Sequence, residues 1–135
     1  MPTLQTLFDE NEQSLKLAWI AGRNGGLRTL AGTASAVVQA ADIVGHLNLI
    51  HADRLHVLGA PEVRYMSRMD SARRAHYAHD LIAGGALGLI VAEGLSLPDD
   101  MITVAEQVGL AMFSSPLAAG LVIDRLRVYL NKKLA

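Results

Sequence analysis

Between residues 54 and 134, apolar and polar positions alternate in a regular rhythm: a short apolar run, then an amphipathic stretch, three times over. RLHVLG (54–59) reads as a short strand, and Pro61 with Glu62 suits the first turn of a helix running through Met69. Asp70 or Ser71 can cap a second helix, SARRAHYAHDLIA. LGLIVA (87–92) is apolar on both faces, the pattern of a central parallel strand covered by helices on both sides. Ser96, Pro98 and Asp99 open the helix DDMITVAEQVG, and Gly109 closes it. AMFSS is a short strand. Ser115 and Pro116 then start a last helix reaching Leu134, with Leu121, Val122, Leu126, Tyr129 and Leu130 on its buried side. Strand and helix in alternation predict right-handed crossovers and a parallel sheet.

The first third is less regular. Thr3 can cap a helix whose apolar face is Leu4, Leu7 and Phe8. LKLAWI then alternates, with Leu15, Leu17 and Trp19 on one side and Lys16 and Ala18 on the other, which is strand periodicity. AGRNGGLRTLAG (21–32) reads as a flexible hairpin-type connection to a second strand, TASAVV (33–38), and QAADIVGHL as a short helix. The expected architecture is α/β: a small three-layer domain with a mixed, largely parallel sheet flanked by helices, spanning residues 1–135 as one unit without repeats or linkers.

Composition narrows the function classes. Twelve basic residues against thirteen acidic give no basic field for nucleic acid and no polybasic membrane patch. The longest apolar run, LIAGGALGLIVA (81–92), is too short to span a bilayer of about 30 Å. MPTLQTLFDENEQ lacks the basic and apolar regions of a signal peptide. With no cysteine, disulfides and thiolate metal sites are impossible, which suits a soluble protein of a reducing cytoplasm.

Candidate chemistry is sparse. The glycine-rich stretch 21–32 lacks the G-x-x-x-x-G-K-[ST] of a P-loop and the G-x-G-x-x-G of a dinucleotide fold. A strand pattern follows it, so no helix N-terminus points at an anion. His76 and His79 lie three apart on a helix beside Asp80, a permissible ligand spacing with no third ligand placed; they read as solvated face residues. His46, His51 and His56 recur every five residues, matching neither a helix nor a strand face, and read as loop and edge-strand positions. Ser114 and Ser115 sit where a strand gives way to a helix, but the elbow G-x-S-x-G is missing and Ser115 before Pro116 is explained as an N-cap. Glu93 and Gly94 end the central strand, and such carboxyl ends are where open α/β sheets bind ligands. A crevice of Gly59, Glu93, Gly94, Ser114 and Ser115 is therefore the candidate small-ligand site, for an anion or a nucleotide-sugar-like molecule.

Several strings, in order and spacing, resemble the amino-terminal domain of the bacterial HPr kinase/phosphorylase family: LFDENEQSLKLAWIAG, GHLNLIHADRLHVLG, LIVAEGLSLPDD and GLAMFSSPLAAGLVIDRLRVYLNKKLA. The resemblance implies a parent enzyme that phosphorylates and dephosphorylates a serine of the phosphocarrier HPr, with ATP or pyrophosphate and Mg²⁺ bound in a carboxyl-terminal kinase domain. It implies hexameric assembly, partnership with that kinase domain and HPr, and a fold similar to the first domain of the muramyl ligases. No P-loop or catalytic residue of that family can be carried onto a position here, so the chain is expected to be non-catalytic and cofactor-free by itself.

Overall fold

The computed structural model describes residues 2–30 and 39–135. Thr3 caps α1 (Leu4–Leu15) through a reciprocal pair of hydrogen bonds with Thr6, and Leu4, Leu7, Phe8 and Leu15 turn inward. Lys16 closes the helix in the left-handed conformation, so strand β1 begins only at Ala18 and runs to Ala21. Leu15 and Leu17 are buried, but the apparent alternation of LKLAWI joins a helix end to a strand start.

After α2 (Ala40–Ile43) the chain enters β2 (Val44–His46) directly. The expected single helix over QAADIVGHL thus divides, because β-branched Ile43 and Val44 and then glycine favour extended backbone over a second turn. The remaining elements are β3 (Leu55–Leu58), α3 (Ala60–Arg68), α4 (Ser71–Ala83), β4 (Gly88–Val91), α5 (Asp99–Val108), β5 (Met112–Ser114) and α6 (Ala119–Lys133). Asp70 caps α4 by accepting the Arg73 N–H, and Gly109 ends α5 at φ 73°. The last helix starts four residues beyond Ser115, with no side-chain cap.

The sheet order is β1-β5-β4-β3-β2. Strands β2, β3, β4 and β5 are mutually parallel, and β1 runs antiparallel to β5 at one edge. The fold is α/β with a mixed, mostly parallel sheet between two helical layers. β4 lies at the centre, with Leu89 and Val91 inaccessible as their pattern requires. On one face Leu55, Val57, Ile90 and Phe113 pack against α1, α2 and α6. On the other, Leu58, Leu89, Val91 and Met112 pack against α3, α4 and α5.

Two expectations about buried faces change. Leu121 is 40% exposed, while Val122, Ile123, Leu126 and Leu130 form the buried side of α6. His56, expected in a loop or at an edge, lies inside β3 and is fully buried. β2 and β3 are parallel, yet only Leu47 to Arg54 connect them, short for a crossover that usually needs a dozen residues or more. His56 secures that crossover. Its Nδ1 accepts the Asn48 N–H at 3.2 Å, and its Nε2 donates to the Ala52 carbonyl at 2.8 Å.

Candidate functional site

The stretch that opens at Ala21 is built as packing. After Gly22 the chain makes a 3₁₀ turn, Arg23–Leu27. The sheet neighbour of β1 is β5, not a strand that follows this turn, and the expected partner TASAVV lies outside the described residues. Gly22 has φ 69°, and a Cβ there would lie 2.2 Å from the Leu110 carbonyl oxygen. Gly25 and Gly26 are buried, Gly26 against the Trp19 ring. The Gly22 N–H donates to the Glu106 carboxylate at 3.0 Å, so a carboxylate from α5 occupies a donor that a phosphate would need. Arg23 lies over the Trp19 ring, and Arg28 donates to the Ala86 carbonyl at 2.7 Å. The turn is fastened to the sheet rather than flexible.

The five strand-end residues do meet. Gly59 precedes α3, Glu93 and Gly94 follow β4, and Ser114 ends β5 in register with Val91. Ser115 bonds its N–H to the Val91 carbonyl, Gly94 bonds to the Ser115 carbonyl, and Glu93 bonds to the Leu117 carbonyl. The Glu93 carboxylate would stand 2.8 Å from a Cβ at position 59, so it leans over glycine because glycine is there. Glu93 is exposed and holds φ 63°, a left-handed conformation that costs a residue with a Cβ roughly 1–2 kcal/mol.

The two serines divide. Ser114 is half-buried at the rim, whereas Ser115 turns inward: its hydroxyl donates to the Leu15 carbonyl at 2.6 Å and accepts the Leu117 N–H at 3.2 Å. Ser115 is neither an N-cap nor a nucleophile, because α6 begins later and both hydroxyl functions are taken.

Two side chains join that the sequence reading left out. Glu62 accepts the Gly59 N–H at 2.9 Å, and His46, at the carboxyl end of β2, lies 3.8 Å from Glu62. Glu62 was legible as the acidic residue three places after the cap of α3. His46 does sit on an edge strand, as its position suggested, but nothing local places it beside Glu62. The resulting rim offers two carboxylates, an imidazole and the uncapped first turn of α6, a mixture of hydrogen-bond acceptors and donors.

Elsewhere, His76 and His79 are exposed on α4, and His76 pairs with Asp80 at 3.4 Å. Among the described residues no group of three or more histidines and carboxylates could hold a metal, and no helix is long and apolar enough to cross a membrane. Arg74 joins α4 to α5 by a two-pronged contact with Asp100 at 2.6 and 2.7 Å, and also donates to the Met66 and Met69 carbonyls. That hydrogen bonding holds the Asp100 carboxyl below its ordinary range and raises the guanidinium further.

A family model described as HPr Serine kinase N terminus matches residues 3–130. The chain belongs to this family. It is 44% identical over all 135 residues to the HPr kinase/phosphorylase of Bordetella petrii and 43% identical to that of Bordetella avium, covering 43% of each relative. To the HPr kinase/phosphorylase of Ralstonia nicotianae it is 40% identical over 131 residues, 40% of that protein. The chain therefore spans less than half the length of these relatives.

Proposed function

We propose that the chain serves as a non-catalytic interaction and regulatory domain of an HPr serine kinase and phosphorylase in the cytoplasm. The observation that carries this reading is the match of residues 3–130 to the amino-terminal family, against relatives more than twice as long. Phosphoryl transfer needs a phosphate cradle and a positioned metal. In this reading ATP and Mg²⁺ belong to the part of the relatives that the chain does not cover, and HPr is met through that part. The test deletes the matching segment from the Bordetella petrii relative. The shortened relative should still phosphorylate HPr but with altered rate, HPr affinity or assembly, while the 135-residue chain alone transfers nothing. Phosphate incorporation by the chain alone, or a shortened relative indistinguishable from the intact one, would overturn it.

A second reading is favoured by the left-handed Glu93 over Gly59, since strained backbone persists where the surroundings impose it and often marks a ligand site. In that reading the strand-end rim senses a small molecule that donates hydrogen bonds to Glu93 and Glu62 and accepts them from the start of α6. Native mass spectrometry of protein purified without denaturation tests it. A bound small molecule lost in Gly59→Leu supports this reading, and bare protein from several hosts counts against it.

A further inference from the structure

A groove of about 440 Å³ lies between α1 and α6 and shares no residue with the strand-end rim. The two helices run antiparallel beside it: Arg125 donates to the Ser14 carbonyl at 3.1 Å, and Tyr129 and Lys133 meet Glu10 at 2.6 and 2.9 Å. Those contacts engage Arg125, Glu10 and Lys133, but two charges that line the groove are left over. Among the described residues, the side chains of Asp124 and Lys132 have no hydrogen bond or ion pair. Asp124 stands at the Ser14 end and Lys132 at the Glu10 end, roughly 12 Å apart along α6 at 1.5 Å per residue. Between them Val128, 56% exposed, and the half-buried Tyr129 give the groove an apolar floor.

A third group points to a ligand. Asn11 is only 5% exposed, and its amide nitrogen donates to the Leu7 carbonyl at 2.8 Å. Its Oδ1 has no partner among the described residues. No side-chain oxygen among them is sealed in the interior without a hydrogen bond, so this one opens into the groove that Asn11 lines. An acceptor in that setting calls for an N–H or O–H donor.

We propose that the groove binds a short peptide with free ends, three or four residues long and apolar in the middle. Such a peptide spans about 10–14 Å when extended, which matches the separation of the two charges. Its ammonium meets Asp124, its carboxylate meets Lys132, and a peptide N–H donates to Asn11. An aliphatic side chain covers Val128 and the Tyr129 ring. A single amino acid is too short to reach both charges, and a segment inside a longer chain would leave both unpaired. The volume lies within the roughly 300–1,000 Å³ of small-ligand sites. The inference rests on this groove alone, and its failure would leave the family reading untouched.

Calorimetric titration of the 135-residue chain with the peptides Ala-Leu-Ala and Ala-Leu-Leu-Ala tests it. At least one should bind with a dissociation constant below about 1 mM. Acetylating the amine or amidating the carboxylate should each weaken binding by roughly threefold to fivefold, the size of an exposed ion pair. Asp124→Asn should remove the discrimination against acetylation and keep that against amidation, and Lys132→Gln should do the reverse. Both positions are exposed, so the fold is kept. Absence of binding by either peptide at about ten times that concentration overturns the proposal. So does a doubly blocked peptide that binds as well as the free one, which would make the groove a dock for internal chain segments. Variants that keep both discriminations overturn it too.

Discussion

The Nδ1 of His56 accepts the backbone N–H of Asn48, eight residues earlier, at 3.2 Å. Only a neutral imidazole can do this while its Nε2 donates to Ala52. Burial is the main cause of a pKa held below the usual histidine range, with Arg54 adding to it and the Ala52 carbonyl and Asp53 opposing it.

The sign of the pH effect follows. Below about pH 6.5 the unfolded chain takes up a proton that folded His56 refuses, so the unfolded state binds more protons. Stability should therefore fall as pH drops from about 7.5 to 5.5, by up to about 1.4 kcal/mol per pH unit while this single group lags. His56→Gln keeps an acceptor and a donor without a charge. Urea unfolding across this range should show a shallower slope for the variant. His46, His51, His76 and His79 are exposed and common to both proteins, so the difference between the curves isolates His56. Parallel curves would show that His56 is not the titrating group.

Ser115 ties two ends of the chain, its hydroxyl bonded to Leu15 one hundred residues away. Ser115→Ala leaves the Leu15 carbonyl and the Leu117 N–H without that partner in a buried site. The expected loss is about 1–3 kcal/mol in urea unfolding. Ser114→Ala, at the half-buried rim, should stay within about 0.5 kcal/mol. Equal effects would mean that the inward hydroxyl contributes nothing beyond its volume.

The contrast between these serines shows where sequence reading stops. The rhythm of residues 54–114 was legible because each strand there is buried on both faces and each helix carries its own cap. LGLIVA and the Asp70 cap needed no tertiary information. The start of the chain was harder. Lys16 adopts a left-handed conformation, so a helix end and a strand start together mimic alternation. His56 was missed because a crossover as short as Leu47–Arg54 shows itself only once β2 and β3 are known to be parallel. At the candidate site, strand ends were legible, but side-chain direction was not. Nothing local distinguishes Ser114 from Ser115, since the difference is the distant Leu15 carbonyl. Glu62 and His46 joined only when α3 and β2 had been placed.

Arg28, in the turn after β1, donates to the Ala86 carbonyl in a partly buried contact. Arg28→Ala should cost about 1.5–3 kcal/mol, the range for a hydrogen bond that involves a charged group. Because the neighbouring Gly22 N–H is held by Glu106, millimolar Mg-ATP should not raise the midpoint of thermal unfolding. A ligand at a hundred times its dissociation constant would add about 2.7 kcal/mol. A rise that disappears in Arg28→Ala would make the turn a phosphate site.

Removing everything after Ser115 should abolish folding. Val122, Leu126 and Leu130 are completely buried against one face of the sheet, and Ile123 almost so. At about 2–5 kcal/mol for each large core side chain lost, the four together amount to about 8–20 kcal/mol, as large as the roughly 5–15 kcal/mol that holds a domain together. Circular dichroism of the 1–115 fragment gives the answer. A soluble fragment with a cooperative unfolding transition would place the core elsewhere.

Gly22 and Gly94 share a left-handed backbone, φ 69° and 68°, but not their surroundings. A Cβ at Gly94 meets nothing within 4 Å, so Gly94→Ala should cost only the conformational penalty, about 1–2 kcal/mol. At Gly22 the same methyl would lie 2.2 Å from the Leu110 oxygen and 2.7 Å from the Ala111 nitrogen, both backbone atoms that cannot swing aside. Relieving that overlap means separating the turn from the chain entering β5, where Gly22 also gives its N–H to Glu106. Gly22→Ala should therefore destabilise well beyond Gly94→Ala, by more than about 4 kcal/mol, a size reserved for disrupted backbone or core. Paired urea titrations of the two variants measure the difference. If both lose the same small amount, the turn after β1 is a loosely attached loop and its glycines are there for flexibility, not for close approach.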